Sequence, residues 1–454
     1  MALAFLLTAT ILGATGAAQT VKAVASFPGA GAEAAPQFVT PAQGRNGELY
    51  GTTFGASGSY GSFFEVSNTG ALRFPYEFNS TDGGQPTGGV TLATDGNFYG
   101  VTTYGGTAND GVLYKISPGG AYTVLHEFQG GSDGQNPFYP PIEGSDGSIY
   151  GLTTGFVYTD TATLYKYTSA GSYSIVYTLG NGYYPTSLIQ ATNGNLYGTT
   201  SQGGTDECGE IFEVTTSGSL VWSYSFLCSA GSWSGGVSPM QILQASDGNF
   251  YGPTYSGGGS MDLGTIFKLD QEGNVTVLYT FPNDLQYAAS PIGLMQATDG
   301  DLYGVTQGGG RYQDGTLFKI TTSGDLTVLY NFNSKAGSNP LGAPVQHSDG
   351  LFYGTTESSG KANAGVVYSL NMGLAPFVKF VLPTGKIGQS AQILGQGLTG
   401  TTAVTFNGFA ATSFKVVSDT FMTAVVPSGA TTGPVVVTTP SGALTSNVSF
   451  RVIP

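Results

Sequence analysis

Charge is scarce in this 454-residue sequence: Asp, Glu, Lys and Arg together make up 9% of it. Exposed helices and coiled coils need charged faces, and so low a charge content, with no heptad pattern, excludes a helical protein. Histidine and cysteine number two each, so a zinc cluster of the usual kind cannot be assembled from Cys and His alone. Beyond the first dozen residues no apolar run reaches the length that spans a membrane. Basic residues are few as well, 14 against 28 acids, for a net charge of −14. A body of that sign repels phosphate backbones and argues against a nucleic-acid partner.

What is present in quantity is glycine, 72 residues, and aromatics at 12%, the composition of a turn-rich all-β protein. The opening MALAFLLTATILGATGAAQT has an apolar stretch from Leu3 to Leu12, then small residues with Gly16 and Ala18 placed before a cleavage point. It reads as a signal peptide over 1–18, which predicts a secreted or cell-surface protein with no transmembrane anchor in the mature chain. An even cysteine pair in an exported chain predicts a Cys208–Cys228 disulfide.

One hexapeptide dominates the rest. DGNFYG stands at Asp95–Gly100 and again at Asp247–Gly252, with variants beginning at Asn46, Asp146, Asn193, Asp299 and Asp349. Their tyrosines fall at 50, 99, 150, 197, 251, 303 and 353, a spacing of 47 to 54 residues. Each copy orders its parts alike: a short run into the DG or NG corner, an NFYGVTT-type run, a Gly-rich loop, a GVLYKI-type run, a Gly turn and a YTVLHEF-type run. Four short strands per copy, none able to bury both faces alone, predict a radial stack, a seven-bladed β-propeller over residues 21–372. The last copy stops after GVVYSL, while VKAVASF at Val21–Phe27 is an orphan with the fourth-strand pattern. The N-terminal strand is expected to close the last blade. The corner Asp and Asn residues read as turn formers in tight primed hairpins, and the glycine after each tyrosine as a site of close backbone approach.

The units ATDGNFYGVTTYGGTANDGVLYKISPGG and ATDGDLYGVTQGGGRYQDGTLFKITTSGD resemble the GloVer repeat of bacterial choice-of-anchor tandem-repeat proteins, which implies an exported protein. Residues 375–454 lack the repeat and carry four basic residues against one acid, Asp419. Their Gly395–Gly397 element, VTFNG, VVPSGATTGPVVVTTPSG and closing strand resemble an IPT/TIG domain. That resemblance implies an immunoglobulin-like β-sandwich, and alternating apolar strands parted by Gly and Pro turns support one independently.

In such a meander the loops between second and third strands and between blades emerge on one face, and the tight corners on the other. The long loops differ from copy to copy, and binding residues favour loops on a rigid scaffold. Tyr104, Tyr139, Tyr184, Trp233, Tyr255, Tyr287 and Tyr312 are therefore the candidate ligand-binding residues. Asp206 and Glu207 are candidate calcium ligands, with no other cofactor expected. No catalytic residue is assigned: no nucleophile and base, or pair of carboxylates, forms a motif. His126 replaces a strand tyrosine, and His347 precedes a corner. These features predict a monomeric binding or scaffold protein whose loop face meets an extracellular glycan or protein. The alternative is a secreted polysaccharide hydrolase or lyase using loop carboxylates.

Overall fold

The computed structural model describes residues 21–29, 31–155, 161–181, 183–228, 235–282, 284 and 288–453; the expected signal peptide lies outside them. The described chain is all-β, its only helical pieces being the 3-10 turns Gly31–Glu33 and Gly131–Asp133. Each repeat forms an antiparallel sheet in sequence order; the second, for example, runs Thr91–Leu92, Phe98–Thr102, Val112–Ile116, Tyr122–Glu127. Seven such sheets cover residues 21–370. Six are four-stranded; the fifth has its inner strand split into Val237–Pro239 and Leu243–Gln244, both paired with Phe250–Ser256. Val21–Ser26 pairs antiparallel with Val366–Leu370, so the first strand of the described chain supplies the outer strand of the last sheet.

The corners differ from expectation. Ala93 and Asn97 close the hairpin, with Gly96 N–H bonded to Ala93 O. Gly96 alone is left-handed, at φ 86°, and Asp95 is not. This is a three-residue connection ending in a left-handed glycine, rather than a two-residue primed turn. It leaves Asp95 free to accept the N–H of Asn97 at 2.9 Å. That bond recurs at Asn46, Asp146, Asn193, Asp247, Asp299 and Asp349. Asn serves as well as Asp because either offers the accepting oxygen.

The glycine after the tyrosine is crowded first by a side chain, and at Gly252 and Gly304 by backbone as well, through Gln241 O and Gly293 O. A Cβ on Gly51, Gly100, Gly151, Gly198, Gly252, Gly304 or Gly354 would collide with the third-strand ring of its own sheet: Phe64, Tyr114, Tyr165, Phe212, Phe267, Phe318 or Tyr368. Onto six of those rings packs the phenylalanine that ends the preceding sheet; at Phe212 its place is taken by Leu179. Phe27–Phe64, Phe78–Tyr114, Phe128–Tyr165, Phe226–Phe267, Phe281–Phe318 and Phe332–Tyr368 have centroids 5.1 to 5.7 Å apart. The first of these pairs joins the last sheet to the first.

A second seam runs along the corners. Three residues before each corner Asp or Asn stands Gln or Glu, which accepts the N–H of the residue just before the preceding sheet's corner. The bonds are Ser348 to Gln43, Thr94 to Glu143, Ser145 to Gln190, Thr192 to Gln244, Ser246 to Gln296 and Thr298 to Gln346, all between 2.7 and 3.0 Å. Only the junction from first to second sheet has Leu92 instead, and there Arg45 reaches Thr94 O at 2.7 Å.

Residues 377–453 form two four-stranded antiparallel sheets around one core, with a short parallel pair of Thr384–Lys386 and Arg451–Ile453; Val378, Ile393, Leu398, Phe406, Met422, Val435 and Phe450 are buried in the core. This unit sits on the corner side of the repeat array. Arg45 bonds Gln392 at 2.6 Å and lies over the Phe421 ring, Thr420 bonds Arg45 O, and Arg451 bonds Thr192 O at 2.6 Å. Leu394 and Phe421 join the core cluster of the first two sheets.

Two outcomes test these seams. Gln43→Ala strands the buried Ser348 N–H at the junction of the last and first sheets and should lower stability by about 1 to 3 kcal/mol in denaturant unfolding. The hydroxyls of Tyr114, Tyr165 and Tyr368 are buried without a hydrogen-bond partner among the described residues. Since the other four sheets have Phe at that position, Tyr→Phe at each should leave stability unchanged or raise it by about 1 kcal/mol, and a loss of that size would contradict the packing described.

Candidate functional site: an aromatic pocket and the central cavity

The loop side is more regular than its sequence. Gly111 N–H bonds Gly105 O, and the same closure recurs at Gly209–Gly203, Gly264–Gly257, Gly315–Gly309 and Gly365–Ser359. Repeating backbone under non-repeating side chains is a rigid platform for recognition. After each loop a proline leads into the next sheet, at Pro36, Pro86, Pro137, Pro185, Pro239, Pro291 and Pro340. In every sheet at least one of the two residues that follow it lines one central cavity, and there the copies diverge: Phe38, Gly88, Tyr139, Ser187, Gln241, Ile292 and Leu341.

That cavity, of about 400 Å³, is walled by the inner strands of all seven sheets, including Gln43, Thr91, Ile142, Leu188 and Val345. On the corner side the C-terminal unit contributes Lys379, Phe380, Val381 and Leu394. On the loop side a second pocket of about 300 Å³ is lined by Phe38, Thr103, Tyr104, Asn136, Phe138, Tyr139, Thr154, Tyr184, Pro185, Thr186, Ser201 and Met240. Phe38, Tyr139, Thr186 and Met240 border both.

The pocket is built from the second, third and fourth sheets plus Phe38 and, from the fifth sheet, Met240. The Phe38 ring meets Phe138 edge-on at 5.3 Å and Tyr139 at 6.3 Å. Phe38 holds φ 55° and Asn136 φ 43°. Left-handed backbone is costly for a bulky residue such as Phe38; at Asn136 it belongs to the repeat, since Ala35, Gln85, Ser238, Ser290 and Asn339, each also directly before a proline, share it. Asn136 is pinned by its Nδ2 donating to Thr103 O at 2.8 Å and by Thr154 Oγ1 donating to Asn136 O at 2.9 Å. Burial pushes the Tyr139 hydroxyl pKa well up, so it stays protonated.

Three of the seven candidate tyrosine and tryptophan positions thus converge: Tyr104, Tyr139 and Tyr184. Tyr255 does not line either cavity; its hydroxyl donates to Gln307 at 2.8 Å and its ring packs into the core of the last two sheets. Tyr312 stands apart, 51% exposed, with the Arg311 guanidinium 5.5 Å from its ring centre. Trp233 and Tyr287 lie outside the described residues. Cys208 and Cys228 are bonded, with Cα atoms 6.1 Å apart across the outer hairpin of the fourth sheet. Among the described residues no three His, Cys, Asp or Glu side chains gather to hold a metal, and Asp206 and Glu207 belong to no such cluster. Phe38 and Phe138 were not foreseen; the repeated proline with its divergent successors was the signal.

The histidines and the paired carboxylates lie elsewhere. His126 stacks on Tyr173 at 3.6 Å and pairs with Asp133, and His347 is buried with its ring against Gly47 O; both serve junctions between sheets. Glu48 and Glu65 share a hydrogen bond that holds Glu48 up at about 7, but this pair sits by the Asn46 corner, away from both cavities. At the corners a charge pattern recurs across the copies. Asp95, Asp146 and Asp299 face Lys115, Lys166 and Lys319, whereas Asn46 and Asn193 face Glu65 and Glu213.

Fold and site together define an all-β, propeller-like repeat protein with a pocket on its loop side. The model of the Gloeobacter/Verrucomicrobia repeat family matches residues 8–187 and 183–416, and the chain belongs to that family. No curated protein matches it in sequence. Among solved structures it is similar to a streptogramin B lyase, at 15% identity and TM-score 0.55, over 78% of this chain and 97% of that one. A virginiamycin B lyase from Staphylococcus aureus is similar at 14% and 0.53, over 74% and 95%. The extracellular domain of a hybrid two-component system from B. thetaiotaomicron gives 11% and 0.51, over 95% of this chain and 57% of that one. Identities this low speak for the fold alone. Among the described residues no helix is long and apolar enough to cross a membrane.

The corner carboxylates set an acid limit. Partial burial pushes Asp95, Asp146, Asp247 and Asp349 up, but hydrogen bonds from the N–H two residues on and from the Tyr hydroxyl, with Lys166 or His347 at two of them, hold all four below 3.8. A folded pKa below the unfolded one gives stability that is present above the unfolded value and lost as pH falls through the folded value. The melting temperature should therefore hold steady above about pH 5 and fall below about pH 4. Asp247→Asn, which copies the Asn46 and Asn193 corners, should shallow that fall.

Proposed function

We propose that this chain is an extracellular or cell-surface binding protein: a seven-bladed β-propeller closed by its N-terminal strand, carrying an immunoglobulin-like IPT/TIG sandwich. Its loop face takes a glycan or protein ligand in the pocket of Tyr104, Tyr139 and Tyr184. The observation that carries this reading is that pocket: aromatic rings converge on the loop side from three successive sheets, while the C-terminal unit occupies part of the corner side. Rings of this kind stack on the apolar C–H faces of sugars, and Asn136, Thr154 and Ser201 supply polar groups beside them.

The alternative, a polysaccharide hydrolase or lyase, requires paired carboxylates at the reacting bond. None of the described residues lining the pocket or the central cavity is Asp, Glu or His, which favours binding over catalysis. The disulfide Cys208–Cys228 suits an oxidising, extracellular setting.

A glycan array on the purified chain identifies the ligand. The double variant Tyr104→Ala, Tyr184→Ala should then weaken binding at least about tenfold, the loss of roughly 1.4 kcal/mol, with an unchanged melting curve. Undiminished binding by that variant, with loss on substitutions at the corners instead, would place the ligand on the wrong side for this reading.

A further inference from the structure

Lys379 is the one charged residue among the described residues lining the central cavity. Its place follows from strand alternation: Val378 is fully buried in the core of the C-terminal unit, and the next side chain turns the other way, into the cavity. Among the described residues its ammonium has no hydrogen bond or ion pair. Tyr139 and Gln241 line the same space, and their side-chain polar groups are likewise unbonded to other described residues. A half-buried, unpaired charge is poorly solvated, and an anion brought beside it offsets that cost. Burial drags the amine down to about 8, so at neutral pH most of it is still charged.

The ligand chemistry follows from the walls. One ammonium balances one negative charge, whereas a phosphate dianion would require a second cation that the lining lacks. Ile142, Leu188, Met240 and Ile292 present apolar surface to the remainder of the guest. The volume, about 400 Å³, is that of a small-molecule pocket. Phe38, Tyr139, Thr186 and Met240, which border the loop-side pocket too, mark the way in. We propose that the central cavity is a binding site for a small organic monocarboxylate, entered from the loop side, with its carboxylate against Lys379 and its apolar body along the inner strands. This site is separate from the glycan reading and stands without it.

Benzoate and its neutral isostere benzamide test the proposal on the full chain, by calorimetry and by saturation-transfer NMR. Wild type should prefer benzoate by at least about tenfold, the equivalent of one ion pair of about 1.4 kcal/mol. Lys379→Met should abolish the preference, and Lys379→Arg should retain it. The preference should also fade as pH rises past about 8, where the amine loses its charge. Tyr139 is the only other titratable group among the described lining residues and stays neutral across that range. Lys379→Met removes a poorly solvated charge, so its melting temperature at neutral pH should match or exceed wild type, which separates loss of binding from loss of fold; Lys379→Gln is the second variant. Equal binding of the two probes, binding of neither, or a preference that survives in Lys379→Met would each overturn the proposal. Competition by chloride as strong as by benzoate would reduce the site to an inorganic-anion site and overturn the organic ligand.

Discussion

The rest of the structure depends on one contact, repeated from sheet to sheet. At six of seven junctions the phenylalanine that ends one sheet, and at the other Leu179, packs by the third-strand ring of the next, and that ring lies over a glycine of its own sheet. A single four-stranded meander has two apolar faces and no second layer to cover them. Joined through this contact, each sheet becomes the second layer for its neighbour, and the seventh is joined to the first through Phe27 and Phe64. The corner Gln and Glu residues add alignment along the same junctions. Their oxygens find a backbone N–H only when neighbouring sheets stand at one height, so register between sheets is specified by directional bonds as well as by packing.

That closure divides the molecule into two sides with different work. On the corner side, identical turns offer the same groups from sheet to sheet, and the C-terminal unit uses them as a docking surface: Arg45, Thr94, Thr192 and Ser348 all meet it. On the loop side, a repeated backbone carries side chains that differ at every sheet, the arrangement a recognition surface needs. The cavity between them draws on both, with walls from the repeats and Lys379 from the appended unit. The exposed acids are scattered through loops and corners, whereas the cavities contain none among their described residues. Net charge therefore says little about what the interior accepts.

Much of this was legible in the spacing of seven tyrosines. The sheets, their strand order, the partnering of Val21–Ser26 with Val366–Leu370 and the bonded cysteines all appear where periodicity and turn chemistry point. The local error at the corners was one of turn type: an Asp-Gly pair suits a primed turn and also a three-residue connection, and the side-chain bond to the residue two further on, strengthened by the tyrosine hydroxyl, selects the second. The crowding of the glycine was legible too, but its main cause was not, because the ring that crowds it comes from another strand, with backbone joining in at Gly252 and Gly304.

By itself the sequence determined the repeated unit, since hydrophobic period, turn residues and copy length are local properties that each segment carries within itself. Only the tertiary structure decided which residues meet. Tyr255 and Tyr104 occupy similar loop positions in the sequence, yet one is taken up by packing against the neighbouring sheet while the other faces an open pocket. Phe38, Tyr139 and Lys379 are separated by 101 and 240 residues and share one cavity, because ring closure brings the first repeat beside the last and the C-terminal unit onto the corner side. Distances between segments far apart in the chain depend on how all the junctions close together, and no local pattern contains that information.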